Sequence, residues 1–379
     1  MGKRIFGCFV HLAGVLIYRI LLFMVKEYPS LISRDESTAI KGLLMLLIVF
    51  GHTGMLTTDY ATGSRTFFWN WLYSFHVYVF LILPFIYGYK NNSVENTTKV
   101  TGGGKLIDIH QVLKDLKHNL IKIGVPYCWF FLFSAIIFVT IGGGKLDLGG
   151  MLYAFVFGNE PLMDEYIGFN FMWFLPAMLA LTTLKSVYYN SNKTIKSIII
   201  SISIVLWVLA IFKVVSKYTV GMYVPFALSQ AFYFIILGLA ARYIIERQYR
   251  KKILKPIVVL SIGALTVLLY YRNEIHTTIS FHTAIRLVMP ILMFLLLYGI
   301  RDLLAKSRIL KFIGTYSLQI YLVHVFVINA LVVLFIHFTE QNIGLGIVIY
   351  ILALGISCGL ALVMVKVPFI NKVLFPTKQ

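Results

Sequence analysis

The chain has 379 residues, of which 59% are hydrophobic and 13% charged, against about 25% charge in a soluble globular protein. That balance excludes a water-soluble enzyme, and no stretch is long and polar enough for a separate soluble domain. A net charge of +19 would suit nucleic acid, but the cations cluster in loops between apolar segments, which excludes that partner and points to membrane topology.

An apolar stretch over 5–25 comes first, preceded by Lys3 and Arg4 and interrupted by His11 and Arg19. No small-residue cleavage site follows, so it reads as an uncleaved helix, either interfacial or spanning. Ten spans are predicted after it, over 42–58, 67–89, 122–141, 171–189, 197–215, 221–241, 253–271, 284–304, 312–337 and 344–366. Segments of about 20 apolar residues suit transmembrane helices, and the short alternating segments of a barrel are not visible. The expected fold is all-α, a polytopic transmembrane bundle of about ten core helices plus the N-terminal apolar helix. Residues 1–33 form that helix and a linker, and 34–379 form one transmembrane domain.

Between the first spans, the polar segment 90–119 carries Ile107, Ile109, Val112, Leu113, Leu116 and Leu120 at helical spacing and predicts an amphipathic helix. Alternate loops are basic: Lys26, Arg34 and Lys41; Lys114, Lys117 and Lys122; Lys185, Lys193 and Lys196; Arg242, Arg247 and Lys252; Arg301, Lys306 and Lys311; Lys366 and Lys372. The intervening loops are short or acidic, as with Asp147, Glu160, Asp164 and Glu165. The positive-inside rule then places both ends of the core in the cytoplasm of a multi-pass cell-membrane protein. Cys8, Cys128 and Cys358 lie singly in apolar segments, without metal or redox spacing, and read as packing residues. Gly-Gly-Gly-Lys at 102–105 and again at 142–145 lacks the phosphate-loop continuation and reads as flexible turns.

Lys41 and His52 share one predicted helix, with ten residues between them. Eleven steps of 100° return a side chain to within roughly 20° of its starting direction, about 16 Å along the axis. A histidine at mid-membrane on the stripe of a boundary cation is costly, which favours a functional role. Counting inward from Lys311 and Lys90 places His324 and His76 at about 20 Å depth, in the same band as His52. No intramembrane carboxylate accompanies them, so no metal is expected. Asp59, two turns beyond His52 on nearly the same face, either orients the imidazole, contacts an acceptor, or is a solvated loop residue.

Four stretches carry a family resemblance. Lys41 through His52 resembles the first core helix of the membrane acyltransferase 3 family, whose signature is a basic residue, ten residues, then histidine. Lys117-His118-Asn119-Leu120-Ile121-Lys122-Ile123-Gly124-Val125-Pro126-Tyr127 resembles the family's basic approach to its third helix. Phe171-Met172-Trp173-Phe174-Leu175-Pro176-Ala177 resembles its Trp-Phe-Leu helix, and Gly314-Thr315-Tyr316-Ser317-Leu318-Gln319-Ile320-Tyr321-Leu322-Val323-His324 its late helix ending in histidine. Lysine at 41, where many relatives have arginine, is similar to the fucose 4-O-acetylase-like branch. Leu83-Pro84-Phe85-Ile86-Tyr87-Gly88-Tyr89 departs from the family's Phe-x-Ser-Gly-Tyr.

The resemblance implies an O-acyltransferase moving an acyl group, acetyl above all, from cytoplasmic acyl-CoA to a hydroxyl of a cell-surface carbohydrate or glycolipid. Such chemistry needs a base for the hydroxyl proton, and His52 is the expected base. Lys41, on the same face, is placed with it in the reaction. Lys117 and Lys122 either pair with donor phosphates or mark the membrane boundary. His324, Trp173 and Tyr321 either line the acceptor site and support the base or serve packing. The partners implied are acyl-CoA as co-substrate, the glycan acceptor and membrane lipids, with no further cofactor. A transporter or lipid-linked glycan flippase is the competing class, although no internal half-repeat is visible.

Overall fold

The computed structural model describes residues 27–58, 66–90, 106–214, 224–247, 252–271, 281–336 and 342–376. The stretch 5–25 lies outside them, as do Asp59 and the Gly-Gly-Gly-Lys run at 102–105. Every predicted span falls on a helix. Seven of the helices described are long and apolar enough to cross a membrane: Phe67–Ile86, Ile109–Thr140, Asn170–Tyr189, Lys193–Ile211, Phe226–Arg247, Ser317–Phe335 and Ile343–Lys366. The other three predicted spans correspond to Arg34–His52, Leu254–Tyr270 and Phe281–Gly299. The one ladder described joins Glu27–Tyr28 antiparallel to Tyr89–Lys90.

The chain divides into two compact units, Met1–Leu31 with Leu81–Leu254 and Ile32–Phe80 with Lys255–Gln379. In the first, the most deeply buried helix is Phe226–Arg247. Arg242, 1% exposed, donates from Nη1 to the carbonyls of Phe85 (2.7 Å) and Tyr87 (3.1 Å) and from Nη2 to that of Pro29 (2.8 Å). Its Nε meets Glu246 at 2.7 Å. Lys185 Nζ donates to the Pro84 carbonyl and lies over the rings of Phe85 and Tyr189. Two cations therefore cap the C-terminal carbonyls of the helix His76–Ile86, where the helix dipole is negative. Their place in the sequence reads as loop charge setting topology. In the fold Arg242 is a buried helical residue and Lys185 a helical one bonded to backbone, because those carbonyls have no intrahelical partner.

The amphipathic segment forms a helix at Ile109–Asn119, capped by the Asp108 side chain. Its polar side faces the protein: Asp115 accepts from Gln111 at 2.8 Å and from Ser186 at 2.6 Å. Ile109 and Leu113 are exposed. Cys128 corrects the packing expectation, being exposed on a face shared with Trp129, Leu132 and Ile136. An outward apolar side chain costs nothing against lipid tails.

In the second unit the helix Arg34–His52 starts with a capping box between Ser33 and Glu36. Glu36 pairs with Arg301 at 2.9 Å and Asp35 with Lys311 at 3.0 Å. About two turns on, a side-chain carbon at Gly42 would lie 2.0 Å from the Leu310 carbonyl oxygen, so the crossing with the helix Arg308–Thr315 needs glycine. Four predicted spans are interrupted, 42–58 at Thr53 and 284–304 at Ile300 among them. The stretch 67–89 turns at Tyr73–Phe75, and 312–337 breaks at Tyr316 between Arg308–Thr315 and Ser317–Ile336. His324 therefore lies seven residues into its own helix, about 10 Å along the axis, which replaces the 20 Å expected from a continuous span.

Candidate active site

His52 is the last residue of the helix Arg34–His52 and is half-buried. Its ring lies 5.0 Å from that of His324 between centroids, inclined at 69°, and 6.2 Å from that of Tyr73. Tyr73 stacks on Trp69 at 4.2 Å and meets the His76 ring edge-on at 4.6 Å. His76 and His324 are fully buried. The three histidines expected in one depth band are thus brought together, with Tyr73 among them.

Local backbone chemistry fixes two of these rings. His76 Nδ1 lies 2.6 Å from the Leu72 carbonyl oxygen, and His324 Nδ1 lies 2.7 Å from that of Tyr321. A carbonyl only accepts, so each Nδ1 carries the proton, and in the neutral ring each Nε2 keeps its lone pair. The Leu72 carbonyl also receives the Phe75 amide at 3.2 Å. The imidazole thereby occupies part of a helical ladder and produces the turn at Tyr73–Phe75. Among the described residues no group of three His, Cys, Asp or Glu side chains is arranged to hold a metal.

Lys41 is half-buried on the same unbroken helix as His52. Tyr321 lies 5.6 Å from His324, ring to ring. Lys117 and Lys122 are exposed residues of the other unit; Lys122 lies in a π-helical turn, Leu120–Gly124. Trp173 also belongs to that unit, buried edge-on to Phe226 at 5.9 Å. Sequence reasoning missed Tyr73 and Arg286. Arg286 lies in the helix Phe281–Gly299 with its guanidinium carbon 5.9 Å from the centre of the Tyr78 ring. The signal for it was available, as a cation two residues inside the span predicted at 284–304, far from the Arg301 at its other end.

At the start of the His52 helix, partial burial raises the Glu36 pKa, but hydrogen bonds from Ser33 and the charge of Arg301 outweigh it. The carboxyl stays below its ordinary value and remains ionised for its pairing.

A family model described as an acyltransferase domain matches residues 35–364. The chain belongs to the acyltransferase 3 family. No curated protein and no solved structure gives a match. The matched region of this membrane O-acyltransferase runs from the first turn of the His52 helix to the last turn of Ile343–Lys366. His52, Tyr73, His76, Arg286 and His324 all lie inside it.

Proposed function

We propose that this acyltransferase moves an acetyl group from cytoplasmic acetyl-CoA to a hydroxyl of a cell-surface carbohydrate, with His52 as general base. The observation that carries the reading is the grouping of His52 with His324 and Tyr73 at one end of a helix that bears Lys41 toward its other end. The acceptor hydroxyl oxygen attacks the thioester carbon while its proton passes to His52. The carbon–sulfur bond breaks, and the imidazolium returns the proton to the departing CoA sulfur. Lys41, about 16 Å away along the helix, pairs with a donor phosphate and directs the pantetheine arm toward His52. The basic segment that carries Lys117 and Lys122 reads as cytoplasmic by the positive-inside rule, the side from which CoA is supplied.

The direct test incubates purified protein with radiolabelled acetyl-CoA and follows CoA release with and without a glycan acceptor. Acceptor-dependent release with label on the glycan is expected. Release no faster than with heat-denatured protein would overturn the reading.

A further inference from the structure

His76 and Arg286 are not used by the transfer chemistry above, yet both are costly where they stand. His76 is fully buried, and with Nδ1 committed to Leu72 its Nε2 lone pair has no hydrogen-bond partner among the described residues. Arg286 has a buried Nε in the same condition, and no carboxylate among the described residues pairs with it. Among the described residues, the Tyr78 ring faces its guanidinium at 5.9 Å. Arg286 lies over a ring two residues from His76 on the helix His76–Ile86, and Arg286 and His52 both act on His76 electrostatically, so these groups share one neighbourhood within one unit. An unmatched acceptor near a half-buried cation that no carboxylate among the described residues balances is the complement of a ligand that offers a hydroxyl proton next to an anionic oxygen.

We propose that His76 and Arg286 form the acceptor subsite, and that it takes an acidic sugar: a hydroxyl donates to His76 Nε2 and the neighbouring carboxylate accepts from Arg286. This rests on the carbohydrate reading and specifies its substrate class. A neutral sugar satisfies the imidazole and leaves the guanidinium uncompensated. A fully ionised phosphate satisfies the guanidinium and leaves the imidazole without a donor. The acidic sugar satisfies both.

The test uses the full chain in nanodiscs of zwitterionic lipid, where no anionic headgroup competes, with no acyl donor present. Binding is titrated at about pH 8.5, where a phosphate monoester is dianionic, with octyl glucuronide, octyl glucoside and octyl phosphate. Wild-type protein is expected to bind the glucuronide about tenfold or more tighter than either other probe. Arg286→Gln should reduce glucuronide binding to the glucoside level, Arg286→Lys should keep part of the preference, and His76→Phe should weaken both sugar probes but not octyl phosphate. Equal binding of the two glycosides by wild type, which needs no variant, overturns the proposal. So does a glucuronide preference that survives Arg286→Gln, and so does octyl phosphate binding as tightly as glucuronide. Because binding is read without donor, a failed glucuronide preference and a failed acyl-transfer assay remain separate results.

Discussion

Gly314 and Gly42 meet backbone to backbone: a side-chain carbon at Gly314 would lie 2.9 Å from the Gly42 amide nitrogen and 1.8 Å from the Thr38 carbonyl oxygen. Neither clash is with a flexible side chain, so alanine at either position must separate the helices Arg34–His52 and Arg308–Thr315. Overpacking of this kind costs about 1–3 kcal/mol. Gly42→Ala and Gly314→Ala should each lower the unfolding temperature in detergent. Gly263→Ala, where nothing lies within 4 Å, should not. An unchanged Tm in all three would mean the crossing is looser than described.

His52→Ala should leave a folded, inserted protein with acyl transfer reduced by about 10²–10⁴, the usual contribution of a general base. Turnover within about threefold of wild type at equal expression would remove His52 from the proton transfer.

Lys41 is tested by donor titration. Lys41→Ala should raise the donor KM about tenfold and leave the acceptor KM nearly unchanged, since a charge-assisted bond to phosphate is lost. Lys41→Arg should retain much of the activity. Lys41→Gln should behave as Lys41→Ala does; an unchanged donor KM in all three variants would reduce Lys41 to a marker of the helix end.

Topology is read by labelling single cysteines placed at exposed positions after removal of Cys8, Cys128 and Cys358. Lys114→Cys and Lys252→Cys should resist an impermeant thiol reagent in intact cells, and Lys145→Cys should react. The opposite pattern would invert the protein and put the basic groups out of reach of cytoplasmic CoA.

Glu36 supplies a pH-dependent contribution. Its folded pKa lies below the ordinary 4.5, so its pairing stabilises the fold fully above the unfolded value and is lost as pH falls through the folded one. The stability difference between wild type and Glu36→Gln should stay constant above about pH 6 and close in more acidic solution. A difference that grows on acidification would contradict the pairing.

Hydropathy placed all ten predicted spans on helices, seven of them long and apolar enough to cross a membrane, because a bilayer demands long apolar helices whatever the fold. The Lys41–His52 relation was legible for the same reason: the helix between them is unbroken, and its period decides which residues share a face. The interruptions at Tyr73–Phe75 and Tyr316 were not legible. Neither contains proline or glycine, and the first arises where the His76 imidazole takes a backbone carbonyl, a contact that no hydropathy window encodes. Arg242 and Lys185 were misread because a cation at the edge of a span looks the same whether it faces headgroups or caps a neighbouring helix. His52 and His324 lie far apart in the sequence, so depth counting placed them at one level, while their ring contact depends on which helices are neighbours.

The contacts of Arg242 also order events during synthesis. Its partners Tyr87, Phe85 and Pro29 precede it by 155, 157 and 213 residues. At roughly 5–20 residues per second, the Pro29 carbonyl waits about 10 to 40 s for its guanidinium. For most of that interval the Phe85 and Tyr87 carbonyls also await a guanidinium not yet translated. A chain that stops short of Arg242 therefore leaves this junction unfastened.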